Sequence, residues 1–297
     1  MFKKILGIVA LSGFIPLSAH AQLNVFTCEP EWAQLATELG GEHVKARSAT
    51  TAFQDPHYIQ ARPSLIAKTR RADLLICTGA ELEIGWLPVL LERSSNAKIQ
   101  PGQAGHFMAA DFVEMMEKLD QVDSSMGHVH MAGNPHFQTD PRRMAVVAKA
   151  LTQRLMELDP AHASEYQRKG AEFQQRWKAS IQRWNQQAEP LRGTPIVVHH
   201  RSWVYLNDWL GLNEVAALEP KPGTPPSTAH LSQLLEQMSS NPAQAIIYSA
   251  YQSPKAADWL SSKTDIPAVK LTSTVLPEQT LSEFYQGLIQ TLLEVKK

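Results

Sequence analysis

Short apolar runs alternate along the chain with stretches whose apolar residues recur every three to four positions. The run Leu23–Thr27 predicts a buried strand. Glu29–Glu38 then places Trp32, Leu35, Ala36 and Leu39 on one face, a helix that Gly40-Gly41 stops. Val44–Ser48 predicts a second strand, and Pro63, at the favoured first helical position, opens a helix to about Ala72. Asp73–Cys77 reads as a strand and Trp86–Arg93 as a helix. Gly102–Ser125 shows no usable period, and a helix over Pro141–Leu158 follows it.

The stretch Pro160–Glu189 reads as one long helix, with Tyr166, Phe173, Trp177, Ile181, Trp184 and Ala188 at gaps mainly of three, four and seven. Roughly 28 residues at 1.5 Å each reach ~42 Å, more than the width of a small domain. Such a helix is either a strut between two lobes or an ordinary amphipathic surface helix. The alternation then restarts, with strands at Pro195–Val198, Ala245–Tyr248 and Ala268–Leu271. Helices are expected at Ser202–Leu210, Ala229–Met238, Pro254–Ser261 and Ser282–Glu294, and Glu219–Thr228 reads as a Pro- and Gly-rich loop. Repeated strand–helix alternation predicts an α/β fold with mostly parallel sheets. The expected organisation is an α/β lobe over 22–159, a connecting helix over 160–189 and a second α/β lobe over 190–297.

Composition narrows the class. Of the 297 residues, 43% are hydrophobic and 19% charged, which describes a folded globular chain. A formal charge of −1 gives no support for a nucleic-acid partner. Residues 1–21 read as a secretory signal: Lys3 and Lys4, an apolar Ile5–Leu17, and the small-x-small site Ala19-His20-Ala21. The alternative is an N-terminal membrane anchor. Cleavage after Ala21 removes two of the 28 basic residues, leaving 26 against 29 acids, a charge of −3. No cysteine follows the cut, so a lipid-anchored form is not indicated, and the expected compartment is a bacterial periplasm. There an even pair of cysteines, Cys28 and Cys77, can form a disulfide, and closing that loop adds ~4 kcal/mol in the chain-entropy description. Two buried free thiols are the other reading. The absence of C-x-x-C spacing argues against metal ligation by this pair.

The candidate chemistry is imidazole. Met126–Pro141 reads MGHVHMAGNPHFQTDP, with His136 held after Gly-Asn-Pro and just ahead of a helix start. His57 follows Asp55-Pro56 before another Pro-led helix, and His200 follows the strand at Pro195–Val198. All three lie at a strand end or helix start, where open α/β sheets gather ligand groups. Three histidines meeting in one cleft would make a zinc site joining both lobes. Taken singly, each is as well explained as an ordinary core or surface histidine.

These motifs resemble the solute-binding receptors of zinc and manganese ABC importers. The resemblance is carried by Asp55-Pro56-His57 with Arg62-Pro63-Ser64, and by Ala72-Asp73-Leu74 with Gly79-Ala80-Glu81-Leu82-Glu83. It continues through Gly133-Asn134-Pro135-His136 with Asp140-Pro141, His200-Arg201-Ser202-Trp203 and Glu219-Pro220, so it covers nearly the whole chain. It implies two α/β lobes joined by one rigid helix, and His57, His136 and His200 as metal ligands. It selects His200 over His199, because the family's ligand directly precedes x-Ser-Trp. Three histidines suit Zn²⁺ as the transported ion better than Mn²⁺. The family commonly adds an Asp from just after the last strand, but here that segment is Leu271-Thr272-Ser273-Thr274, and Glu278 is the nearest carboxylate. The resemblance also implies a long His- and Asp-rich insertion near 106–130, where this chain has only His106, Asp111, Asp120, Asp123, His128 and His130; His128 and His130 are either a weak entry site that hands metal to the main one or solvated loop histidines.

The function implied is capture of Zn²⁺ by a monomer and delivery to an inner-membrane ABC permease, with a periplasmic metallochaperone as a further possible partner. Binding requires neutral imidazoles, so affinity is expected to fall below about pH 6.5. The rival readings are an exported zinc hydrolase, a manganese-type receptor and a metal-dependent adhesin. The zinc-hydrolase reading is weakened because no H-E-x-x-H occurs, and a nucleophile-type enzyme because no G-x-S-x-G occurs.

Overall fold

The structure is a computed structural model that describes residues 22–295. The expected signal, Met1–Ala21, lies outside the described residues. In chain order the first half contains β1 (Leu23–Thr27), α1 (Pro30–Gly40), β2 (Val44–Ser48), α2 (Pro63–Thr69), β3 (Leu74–Cys77), α3 (Leu87–Ser94), β4 (His106–Met108) and α4 (Pro141–Leu158). The long helix α5 covers Ala163–Ala188. After it come β5 (Pro195–Val198), α6 (Val204–Leu210), β6 (Asn213–Ala217), α7 (Thr228–Ser240), β7 (Ala245–Ser249), α8 (Lys255–Thr264), β8 (Ala268–Leu271) and α9 (Leu281–Val295).

Two four-stranded sheets are present among the described residues, ordered β2-β1-β3-β4 and β6-β5-β7-β8. All their pairings are parallel, so both halves have the same winding. Strand periodicity divides the side chains between two faces. Val25, Leu74 and Ile76 enter one core, while Phe26, Leu75 and Cys77 enter another beneath α2 and α3. In the second sheet Ile196, Val198 and Ile247 face the first core, and Val197 and Ile246 face Leu234 and Leu260 of α7 and α8. The first core is common to both sheets. It is filled by α1, α4, α5, α6 and α9, so helices form a shared middle layer.

Helix α5 buries Tyr166, Phe173, Trp177, Trp184 and Ala188 in that layer. Trp177 and Trp184 each meet Tyr285 of α9 with ring centres 5.4 Å apart. One-turn 3₁₀ segments at Pro160–His162 and Glu189–Leu191 flank α5, so the expected helix over 160–189 is α-helical only between them. Two expectations need correction. The unassigned Gly102–Ser125 stretch contains β4, and β6 was not anticipated. Both are edge strands, and β6 is half-exposed, so neither has the continuous apolar run of a strand buried on both faces.

Cys28 and Cys77 form a disulfide joining the carboxyl ends of the neighbouring strands β1 and β3. Their Cα atoms are 4.8 Å apart.

Candidate metal centre

The loops that follow the strands of the two sheets converge. His57 lies in the loop after β2, where Asp55 Oδ1 accepts from its backbone N–H at 3.0 Å and pairs with its Nδ1 at 2.7 Å. This contact puts the proton on Nδ1 and leaves the Nε2 lone pair available. Nε2 is buried with no hydrogen-bond partner. Burial acting alone would raise the Asp55 carboxyl; the hydrogen bonds it accepts from the His57 ring and backbone outweigh it and hold the group below the usual carboxylate range.

His136 is presented by the Gly133–Pro135 turn. Asn134 Oδ1 accepts from its backbone N–H at 3.1 Å, and Asn134 Nδ2 donates to the Arg201 carbonyl at 2.8 Å, tying the turn to the second half. Tyr205 of α6 donates to the Asn134 carbonyl at 2.7 Å. The helix that follows is started by Asp140, whose side chain accepts from the Arg142 N–H at 2.8 Å. His136 is 3% exposed, and its Nε2 is also buried without a partner. Burial, reinforced by the neighbouring His57 and His200, pushes its imidazole well below the usual range. The neutral, ligand-competent form of His136 therefore persists below pH 6.5.

His200 follows β5, and Glu219 follows β6, the adjacent strand. Their contact, Nδ1 to Oε2, is 2.7 Å, and the same oxygen accepts from the Gly223 N–H at 2.8 Å. His57, His136 and His200 have ring centres 5.4, 6.1 and 5.7 Å apart. A zinc ion 2.0–2.1 Å from three imidazole nitrogens sets ring centres about 5 Å apart, so small side-chain adjustments close this triangle on one ion. His199 lines the same cavity as His200, but its Nε2 is 4.0 Å from Glu219 Oε1 and its Nδ1 is buried without a partner.

His128 and His130 join the cluster. Their ring centres are 4.9 and 5.5 Å from that of His57 and 5.2 Å from each other. Nitrogens of His57, His128 and His130 lie within 4.8 Å of one another, a second ligand triangle sharing His57 with the first. His130 is 8% exposed, and burial together with the adjacent histidines pushes its imidazole down to about 3. It is thus not a solvated loop histidine. The loop is held in place because His128 N–H donates to the Pro222 carbonyl at 2.7 Å. Glycine is required at this crossing: Gly127 has φ +85°, and a Cβ there would stand 2.6 Å from the Pro222 oxygen.

Glu278 is elsewhere. It lines a groove with Pro30, Ala33, Thr51 and Val275, while the two cavities bordered by the histidines are lined by other residues. The segment after β8 is also committed to other contacts: Thr274 donates to a Glu31 carboxylate oxygen, and the Ser273 carbonyl accepts from Gln138 Nε2 at 3.0 Å. Sequence reasoning singled out the three histidines but gave no role to Asp55 and Glu219 as their carboxylate partners. The usable signal was a carboxylate two residues before His57, and another at the start of the Pro-rich loop.

Known proteins align with this architecture. The family described as "Zinc-uptake complex component A periplasmic" matches residues 25–295. The chain is 22% identical over 265 residues to the zinc-binding lipoprotein AdcA of Streptococcus pneumoniae, covering 89% of this chain and 52% of that protein. It therefore spans about half the length of that relative. It is 21% identical over 296 residues to the manganese ABC transporter substrate-binding lipoprotein PsaA of Streptococcus pneumoniae, covering 97% of this chain and 92% of the other. A crystal structure of ZnuA superposes with a TM-score of 0.78 at 19% identity, covering 93% of this chain and all of that one, and shares the fold. Among the described residues no helix is long and apolar enough to cross a membrane. The chain belongs to the family described as "Zinc-uptake complex component A periplasmic".

Proposed function

We propose that the protein captures Zn²⁺ in the periplasm, between an α/β lobe at 22–159 and another at 190–297 that are connected through 160–189, and delivers it as a monomer to an inner-membrane ABC permease. His57, His136 and His200 are the proposed ligands. The observation that carries this reading is the pair of buried, unpartnered Nε2 atoms on His57 and His136. A buried nitrogen without a hydrogen bond is costly unless something binds it. An ion held by both, with His200 as the third donor, removes that cost.

The donor chemistry favours zinc. Three neutral imidazoles suit Zn²⁺, whereas Mn²⁺ favours oxygen donors, and here Asp55 and Glu219 are directed onto histidine Nδ1 atoms. Those contacts orient each ring before the ion arrives and increase its basicity. His128 and His130, close to His57, serve as a first-capture pair that passes the ion inward. A metallochaperone, where present, would load the same opening.

Zinc titration of the metal-free protein by calorimetry tests this reading. One tight site per chain is expected, weakened at least about a hundredfold in each of His57→Ala, His136→Ala and His200→Ala. The double variant His128→Ala/His130→Ala should retain the tight site and load more slowly in stopped-flow measurements. Binding indifferent to His57 and His200 would show that the histidines are structural.

A further inference from the structure

Away from the cleft, the amino ends of β2 and α5 bring together a second group of metal-ligating side chains. Glu42 and His43 belong to the one-turn 3₁₀ segment that feeds β2, and Glu165 lies in the first turn of α5. One nitrogen of His43 and one carboxylate oxygen from each of Glu42 and Glu165 lie within 4.8 Å of one another. His43 Nε2 and Glu165 Oε2 are 2.8 Å apart. One imidazole and two carboxylates form a donor set that Zn²⁺ accepts, and donors around a tetrahedral ion stand about 3.3 Å from each other. Glu42 is exposed, so rotation of its side chain closes the remaining gap.

The imidazole is held in place from behind. Its ring stacks on that of His162, with centres 3.8 Å apart and planes inclined by 19°. His162 Nδ1 is 2.7 Å from Asp159 Oδ2, and the same oxygen accepts from the Tyr166 hydroxyl at 2.7 Å. The His43 and Glu165 side chains are 18% and 32% exposed, so an ion reaches them directly from solvent. Glu165 Oε1 is 3.9 Å from Arg168 Nη2 and 4.0 Å from Lys169 Nζ, while Oε2 is the atom turned to His43. Those two cations oppose a divalent ion and set a weaker affinity than three imidazoles give. The group is separate from the cleft: His43 directly precedes β2 and His57 follows it, and the strand spans about 16 Å.

We propose that Glu42, His43 and Glu165 hold a second, weaker Zn²⁺, with water in the fourth position. On binding, His43 turns its Nε2 lone pair to the metal and carries its ring proton on Nδ1, and the His43–Glu165 hydrogen bond gives way to two bonds to the ion. The ion then ties the start of β2 to the first turn of α5, the helix whose aromatic face lies in the core common to both sheets. Zinc in excess of what the cleft holds thereby braces the first sheet against that helix. The site stands on these three residues alone and does not require the cleft reading.

Calorimetric titration of the metal-free protein with zinc chloride, with the ions per chain counted by native mass spectrometry, tests the proposal. Two binding steps are expected, the second at least about a hundredfold weaker than the first. His43→Ala should remove the second step, and Glu42→Gln, a change at an exposed position, should weaken it at least about tenfold. Both variants should keep the tight step of the parent. The second step should persist in His128→Ala/His130→Ala, which separates it from the first-capture pair, and in His57→Ala. A parent chain that takes up one ion only would overturn the proposal and leave the cleft receptor standing. A second step undiminished in both His43→Ala and Glu42→Gln would equally overturn it. Absence of the tight step, with a weak one that His43→Ala removes, would sink the receptor reading and leave this site in place.

Discussion

Glu31, in the first turn of α1, is 1% exposed, and burial raises its carboxyl to about 7 despite the hydroxyl of Thr274. Two more buried carboxyls lie beside it. Burial raises Glu83 to about 7, and burial, reinforced by the charges of Glu83 and Glu31, raises Glu29 well above the usual range. Tyr285 of α9 faces the same group and is itself raised, first by burial and then by the charges of Asp140 and Glu31. Between pH 4.5 and about 7 the folded chain binds more protons here than the unfolded chain does. Their contribution to stability is therefore complete below the unfolded value and is lost as pH rises through the folded one. The buried histidines act in the opposite sense, because His136 and His130 are held below their unfolded value and cost stability as the medium acidifies. Comparing variant with parent isolates the carboxyls. Glu31→Gln should raise stability at pH 8 by on the order of 1 kcal/mol and flatten its decline above pH 5, read from urea melts at both values. An unchanged pH slope would show that Glu31 does not hold the proton.

At the scale of elements, the carboxyl ends of the strands carry both the chemistry and its bracing. The disulfide locks β1 to β3 beside the loop that begins with Thr78. With the cysteines 49 positions apart in the chain, the chain-entropy description gives ~4 kcal/mol. The paired variant Cys28→Ala/Cys77→Ala should lose a comparable amount in denaturant melts while keeping its zinc stoichiometry, since neither sulfur touches the histidine cluster. Loss of zinc binding in a folded paired variant would place the disulfide in the site's support. The sequence read the inner strands β1, β3, β5 and β7 well, because each has a nearly unbroken apolar run. The edge strands β4 and β6 escaped it because their definition lies in backbone pairing with β3 and β5, which leaves little trace in side-chain pattern.

At the scale of the whole molecule, α5 is more than a strut. Its aromatic face lies in a core that both sheets share, and α1 and α9 pack alongside it. Opening the halves widely would pull Trp177 and Trp184 away from Tyr285 and expose apolar surface, at about 25 cal/mol per Å². The loops around the histidines are tied across by individual polar contacts, among them the His128–Pro222, Asn134–Arg201 and Tyr205–Asn134 hydrogen bonds and the Arg201–Glu117 ion pair. Release of the ion is therefore expected through loop shifts rather than hinge opening. Small-angle scattering should give the same radius of gyration with and without zinc; a marked contraction on binding would show that the core yields.

The sequence by itself determined the α/β class, the cysteine pair available for a disulfide and the shaped loops bearing His57, His136 and His200, because local period, Pro-led helix starts and turn residues are all written in neighbouring positions. Only the tertiary structure decided that His130 belongs to the buried cluster, that Asp55 and Glu219 orient His57 and His200, and that Glu278 borders another groove. Those outcomes depend on which loops meet across the two sheets. Residues 19 and 73 positions apart, as His200–Glu219 and His57–His130 are, come together only when parallel strands align their carboxyl ends.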